Sequence, residues 1–156
     1  MKNSPQPIEK DYSQSFSGDK VKKHNKKWWH NKCWKLFSLK RRLEGSQANG
    51  YGRCITCGVV THYKEANAGH YKHGVLDYDD MNINYQCVRC NKWLSGNLGE
   101  YARYLIKNYG QEEFEKLHIR ASMAKKGENY SIEYLEQLAT ELTLKTTELL
   151  KEKNGL

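Results

Sequence analysis

The sequence predicts a single α+β domain with a small metal-stapled core, and three observations lead to this prediction. At 156 residues, the chain has the length of one ordinary domain with extensions. Helical periodicity occurs on both sides of a middle segment made of short, strand-like pieces interrupted by glycine. Two Cys-x-x-Cys pairs lie in that middle segment. We expect residues 1–19 to form a flexible tail, residues 20–120 the main domain and residues 121–156 a C-terminal helix.

Composition and charge point to an intracellular protein with a polyanionic partner. No segment has the roughly 20 consecutive apolar residues of a membrane span, and the first ten residues lack the apolar region of a secretory signal. We therefore expect a cytoplasmic protein without a membrane partner. The net charge is +8, and residues 20–44 contain ten Lys and Arg against one acidic residue. Such a concentration of positive charge favours nucleic acid as the partner.

The first predicted element is a basic amphipathic helix over residues 26–43. Apolar side chains recur at helical spacing along one stripe, while most of the basic residues lie off it. Gly45 ends the helix and begins a polar loop. The stripe consists of Trp29, Cys33, Leu36 and Leu43. Cys33 is predicted to be a small buried apolar residue.

Three further helices are predicted after the cysteine-rich middle of the chain. Residues 98–108 and 111–118 form two short helices separated by Gly110. Ser131 is a favoured N-cap residue and opens the last helix. That helix has a leucine stripe whose expected role is docking or self-association, which leaves a homodimer open. The stripe contains Leu135, Leu138, Leu142 and Leu149.

Four of the five cysteines form two pairs, Cys54 with Cys57 and Cys87 with Cys90. Two such pairs offer the four thiolates that a structural zinc ion prefers. Two disulfides are the first alternative, which a reducing cytosol disfavours. A redox pair is the second, although the usual βαβ context is missing. The 29 residues between the pairs exceed the usual zinc-ribbon spacing of about 15–20, so a further element is expected there.

The segment around the second pair carries imidazole and amide side chains that a purely structural zinc module does not need. In order, the chain has G-x-x-R-C-I-T-C-G ending at Gly58, A-G-H-Y around His70, N-I-x-x-Q-C-x-x-C-N ending at Asn91, and Ser-Gly-Asn at residues 95–97. This ordered set resembles the HNH, or ββα-metal (His-Me finger), nucleases. Within them it is similar to the NinG/Rap recombination endonucleases of lambdoid phages.

The resemblance implies a structure-specific endonuclease for branched DNA, such as Holliday junctions or D-loops, encoded by a phage or prophage. It implies one catalytic Mg²⁺ or Mn²⁺ ion beside the structural Zn²⁺. His70 matches the general base, Asn82 the asparagine that orients the base-bearing loop, and Asn91 the ligand of the catalytic metal. Gly69 stands where the family often has an acidic or histidine ligand. Asn67, the second candidate ligand of the catalytic metal, stands where an aspartate is common, which leaves the site short of a carboxylate. Either Asp79 or Asp80 supplies the charge, or the activity is reduced or metal-selective, or the site is inactive.

The residues themselves are suited to hydrolysis of a phosphodiester. A neutral imidazole, with a pKa near 6.5 in free histidine, accepts a proton from water at physiological pH. A divalent ion neutralises the phosphate and stabilises the leaving oxygen. Strand alternation places Lys72 on the same face as His70, where it would contact a phosphate. The predicted DNA contacts are Lys72, Lys32, Lys35, Lys40, Arg41 and Arg42.

Each of these assignments has a structural alternative. His70 could be a structural histidine, Asn91 could cap a helix, and Asn67 could belong to a turn. Trp28, Trp29 and Trp34 could stack on an unpaired base or pack on the core. Two rival functions therefore stay open: a non-catalytic zinc-dependent DNA-binding protein, and an HNH nuclease of restriction or homing type.

Overall fold

The computed structural model describes residues 23–126 and 130–155 and has the mixed α+β architecture that the sequence predicts. Its described part contains four α-helices and two separate two-stranded antiparallel sheets. The tail predicted for residues 1–19 lies outside the described residues. None of the described helices is long and apolar enough to cross a membrane.

Helix α1 spans Lys26–Glu44, one residue beyond the predicted end. Asn25 caps it, since its Oδ1 accepts a hydrogen bond of 2.9 Å from the amide of Trp28. The buried side of α1 carries Cys33, Phe37 and Leu43. The Cys33 thiol is fully buried and donates a 3.1 Å hydrogen bond to the carbonyl of Leu135, which confirms its structural role.

Two hairpins follow α1. Strand β1 (Tyr51–Arg53) pairs with β2 (Val60–His62), and β3 (Asn67–His70) pairs with β4 (Ile83–Gln86). The second hairpin packs against α1 through Ala68 and Ile83. Strand β4 leads within three residues into a short π-helical segment, Arg89–Trp93. One cysteine pair lies in the turn between β1 and β2, and the other directly follows β4. Both pairs lie at the same end of the hairpins.

Helices α2 (Leu98–Tyr109) and α3 (Gln111–Met123) are separated by Gly110 as predicted. Gly110 has φ = +89°, a backbone conformation that favours glycine. Helix α3 runs five residues beyond the predicted end at 118. Its additional turn is anchored because the Arg120 guanidinium lies 3.1 Å from the Asp79 carboxylate.

Helix α4 (Ile132–Asn154) begins at the predicted N-cap, Ser131, and packs along α1. Of the two roles predicted for its apolar stripe, docking is the one observed, and self-association stays a prediction. The side chains buried on α4 include two small or polar residues that the leucine pattern did not indicate. They are Leu135, Ala139, Leu142, Thr146 and Leu149.

Candidate functional site

The four paired cysteines converge into one cluster. Each Sγ atom of Cys54, Cys57, Cys87 and Cys90 lies within 4.8 Å of the other three. A tetrahedral zinc site with Zn–S bonds of about 2.3 Å needs sulfur separations of roughly 3.8 Å. The Sγ atoms of Cys57 and Cys87 lie 3.7 Å apart, and all five cysteines are unbridged. The cluster could therefore hold a metal ion such as zinc. Within residues 23–126 and 130–155, no other group of three His, Cys, Asp or Glu side chains converges in this way.

The surroundings shift the pKa values of the thiols in opposite directions: burial raises the pKa of Cys57 to about 12 and also raises that of Cys87. Burial by itself would raise the pKa of Cys54, but hydrogen bonds from Thr56 and from backbone amides outweigh it and lower the pKa to about 6. A thiol that ionises easily supplies the thiolate that a metal binds. Asn97 stands at the N-cap position of α2, but its side chain makes no capping bond. Its amide donates a 3.6 Å hydrogen bond to Cys90 Sγ instead.

His70 ends strand β3, and its ring is held on two sides. Its Nε2 lies 3.2 Å from Oδ1 of Asp77, and its ring is tilted against Trp34 with centroids 4.7 Å apart. The hydrogen bond to His70 is the main reason why the pKa of Asp77 lies below its usual value. When Nε2–H donates to the carboxylate, Nδ1 keeps a lone pair that can accept a proton.

Asn82 holds the loop that contains Asp77. Its Oδ1 accepts a 2.7 Å hydrogen bond from the amide of Lys72. Its Nδ2 lies within 3.2 Å of the carbonyls of Lys72, Val75 and Leu76. Asn82 is fully buried, so these bonds fix the path of the chain from His70 to Asp77. That Asn82 thereby orients the histidine for catalysis stays a prediction.

The carboxylate beside His70 is therefore Asp77, which the sequence reasoning missed in favour of Asp79 and Asp80. Asp79 accepts hydrogen bonds from the amides of Met81 and Asn82 and pairs with Arg120. Asp80 lies 2.7 Å from the ammonium group of Lys40. Both carboxylates thus have partners within the fold. No local sequence signal marks Asp77, because its contact with His70 depends on how the intervening loop folds back.

Gly69 lies beside two side-chain oxygens. A Cβ placed on it would collide with Oε1 of Gln86 and lie 3.0 Å from Oδ1 of Asn91. A side chain at position 69 would therefore displace the amide of Gln86. Asn91 is the third residue of the π-helical segment rather than its N-cap, so the capping alternative does not apply. Asn67 faces Gln86 in the strand register, and its Nδ2 is buried without a hydrogen-bond partner in the part of the chain that the structure describes.

The predicted DNA contacts fall into two groups. Arg41 donates to the carbonyl of Ile83 at 2.7 Å, Arg42 donates to that of Tyr63 at 2.9 Å, and Lys40 pairs with Asp80. These three bases have partners within the chain, since they join α1 to the hairpins. Lys35 is exposed, and the ammonium group of Lys32 lies 5.2 Å from the ring centroids of Trp28 and Trp29.

Lys72 does not share a strand face with His70, because β3 ends at His70. Its ammonium group lies over the ring of Tyr71, 5.2 Å from the centroid, so the alternation behind that expectation was wrong. The prediction that Lys72 contacts a phosphate stays untested.

The tryptophans of α1 are engaged within the protein. Trp34 covers His70, Trp29 packs against the core, and Trp28 stacks on His24 with ring centroids 3.5 Å apart. Trp93, which the sequence reasoning did not single out, is 79% exposed at the end of the π-helical segment. Arg89 and Lys92 are exposed on the same segment.

Fold and site together define a small α+β protein in which a four-cysteine cluster able to hold a metal lies beside a hairpin that bears a carboxylate-bound histidine. The profile of the family described as "Bacteriophage Lambda NinG protein" matches residues 7–152. The chain belongs to this phage protein family.

Individual relatives match over a shorter segment. The chain is 43% identical over 74 residues to Protein ninG of Escherichia phage 933W, and the match covers 43% of this chain and 36% of that protein. With the same coverage, it is 42% identical to Protein ninG of Escherichia phage lambda and 40% identical to that of Salmonella phage P22. The match thus spans about a third of the length of these relatives. No solved structure matches the chain significantly.

Proposed function

We propose that this protein is a metal-dependent DNA endonuclease of the HNH type that cleaves branched DNA during phage recombination. The observation that carries the proposal is the bond between His70 and Asp77, in a loop held by Asn82. A histidine that is oriented by a carboxylate through one ring nitrogen presents the other to its substrate as a general base.

The chain order also supports an HNH-like core. The hairpin of β3 and β4 carries His70, and the helical segment that follows it carries Asn91. The resemblance assigns the base to the first of these elements and the metal ligand to the second. The cysteine cluster would hold both elements in register, since Cys87 and Cys90 flank the start of that segment.

A catalytic Mg²⁺ or Mn²⁺ ion fits the oxygen donors beside Gly69. Amide oxygens are ligands for such hard ions, although weaker than carboxylates. When bound, the ion would neutralise charge on the scissile phosphate. Asn91 would hold it, and Asn67 lies on the same face of β3 as Gly69 because side chains two residues apart share a face. Because these protein ligands are neutral, we expect a phosphate of the DNA to contribute to binding of the ion.

The role of His70 would be to take a proton from the attacking water on Nδ1. Asp77 would keep Nε2 protonated and would stabilise the imidazolium that forms. Trp34 would limit movement of the ring, since it covers one face and leaves the His70 side chain 19% exposed. The exposed lysines of α1 and of the π-helical segment would bind backbone phosphates.

The test is cleavage of a synthetic four-way junction and of a linear duplex of matched sequence, with Mg²⁺, Mn²⁺ or EDTA. We expect metal-dependent nicks in the junction in preference to the duplex, as the resemblance to recombination endonucleases implies. Junction binding without cleavage in any metal would contradict the nuclease proposal and favour a DNA-binding protein. Cleavage of the duplex at a defined sequence would favour a restriction or homing nuclease.

Trp93 provides a further prediction about DNA binding. Replacement of Trp93 with alanine should weaken binding to junctions that contain unpaired bases by about 1–3 kcal/mol, the usual contribution of one base stacked on an aromatic ring. Arg89, about one helical turn before Trp93, and Lys92, its neighbour in the chain, are both exposed and would bind the adjoining phosphates. Fluorescence anisotropy with labelled junctions measures the change.

Met123 provides the matched control, because it is also 79% exposed but lies at the end of α3. Met123→Ala should leave binding unchanged, and both variants should unfold within about 0.5 kcal/mol of the parent protein. Equal binding by the Trp93→Ala and parent proteins would rule out a stacking role.

A further inference from the structure

The side chain of Gln86 contains a buried oxygen without a partner. Gln86 is fully buried, and its Nε2 donates to the carbonyl of Gly96 at 2.8 Å and to Thr56 Oγ1 at 3.2 Å. A carbonyl oxygen can only accept, so these bonds fix which end of the amide is nitrogen. The opposite atom, Oε1, has no hydrogen-bond partner among the described residues. An amide oxygen in this state has lost its water without compensation.

The unpartnered oxygen points to the same place as the oxygen of Asn91. Oε1 of Gln86 occupies the volume that a Gly69 side chain would enter, and Oδ1 of Asn91 lies 3.0 Å from the position of that Cβ. Two acceptor oxygens cannot satisfy each other by hydrogen bonding. A cation between them would satisfy both, and a hard divalent ion is the species that neutral oxygen ligands select.

We infer that Gln86 supplies a second oxygen ligand to a divalent ion held with Asn91 beside Gly69. This inference rests on the proposed function in that the ion is the one the nuclease would use. It accounts for the glycine that stands where a ligand-bearing residue was expected: the amide of Gln86 reaches across from β4 and fills the space of that side chain. Gln86 is the register partner of Asn67 in the hairpin, so both strands contribute polar groups to this region.

The test measures Mn²⁺ binding by electron paramagnetic resonance on the zinc-loaded full-length protein, with and without a cleavage-resistant junction DNA. Gln86→Met keeps the length of the side chain and removes its oxygen. It should weaken Mn²⁺ binding roughly 10- to 100-fold, as the loss of a metal-site residue usually does. Gln86→Glu should bind Mn²⁺ more tightly than the parent protein, because a carboxylate is the stronger ligand. Gln137→Met, on the exposed side of α4, should leave binding unchanged.

Two further measurements keep the outcome clear if Gln86→Met is poorly folded. Gly69→Ala changes no ligand but forces Gln86 Oε1 to move, so it should weaken Mn²⁺ binding as well. Absorption of Co²⁺ bound to the cysteine cluster reports whether the hairpins of each variant remain assembled.

Equal Mn²⁺ affinity in the parent, Gln86→Glu and Gly69→Ala proteins, or no binding by the parent with or without DNA, would overturn the inference. Gln86-dependent Mn²⁺ binding in a protein that cuts no DNA would support the ion site and reject the nuclease. If Gln86→Met binds Mn²⁺ as tightly as the parent protein and cuts DNA at the parent's rate with metal, the nuclease is supported and Gln86 is rejected as a ligand.

Discussion

Replacement of His70 with alanine is expected to reduce junction cleavage by roughly two to four orders of magnitude, the usual contribution of a general base. Binding of junction DNA should remain close to that of the parent, because His70 is largely enclosed by Asp77 and Trp34. Single-turnover cleavage and anisotropy, measured on the same junction, separate these two effects.

Asp77→Asn tests the arrangement around the histidine without removing it. An asparagine keeps the shape but no longer fixes which ring nitrogen carries the proton, so cleavage should fall by up to about four orders of magnitude. The pKa of Asp77 is lowered by its bond to His70. The stability gained from this ionised carboxylate is therefore present above the unfolded value of about 4 and is lost as the pH falls through the lower folded value. At neutral pH, Asp77 is fully ionised.

His62→Ala is the matched control, because His62 lies on the other hairpin, where its Nδ1 accepts from the amide of Lys64. It should cut at nearly the parent rate. If His70→Ala cuts as fast as His62→Ala, the general-base assignment is wrong. If Asp77→Asn alone is unaffected, His70 is oriented by something other than the carboxylate.

The second large effect is expected on removal of the metal from the cysteine cluster. Structural zinc contributes about 10–16 kcal/mol of apparent binding energy in zinc-finger peptides at neutral pH, which matches or exceeds the whole stability of a typical domain. The cluster joins the β1–β2 turn to the end of β4 and the π-helical segment. Without the ion, we expect both hairpins to lose their mutual orientation and the thermal transition to broaden or disappear.

Thermal melts by circular dichroism, before and after treatment with a strong chelator, measure this effect, and native mass spectrometry counts the zinc ions. Cys87→Ser should remove the ion and the cooperative transition. Cys33→Ser leaves the cluster intact, so one zinc per chain should remain even where burial of a hydroxyl lowers the melting temperature. A chelated protein with an unchanged melt would contradict a structural role for the ion.

Local sequence patterns predicted the helices and the cysteine cluster well. The start of α1, the break at Gly110 and the cap at Ser131 depend on residues close in the chain, so they could be read directly. The cysteine cluster was also predictable, because the spacing within each pair suits a turn that presents two thiols together. The extra turn of α3 was missed, because it is held by the distant Asp79.

The details of the site depended on contacts that no local pattern contains. Asp77 reaches His70 because the buried side-chain amide of Asn82 holds the loop between them. The position of that amide cannot be predicted from the local sequence. Likewise, the charge of Arg41 and Arg42 predicted that they contact DNA, yet both donate hydrogen bonds to backbone carbonyls in or beside the hairpins. Charge predicts attraction to a polyanion but does not reveal which cations the fold itself uses.

The sequence by itself determined the α+β class, the starts of the helices and the four thiols, and its ordered motifs pointed to the family. These properties follow from short-range preferences and from the spacing of residue types. The tertiary structure alone decided which carboxylate lies beside His70, which oxygen fills the space beside Gly69, and that Trp93 is exposed whereas Trp34 packs against His70. These depend on strand register and on packing between segments far apart in the chain, where small shifts change which side chains meet.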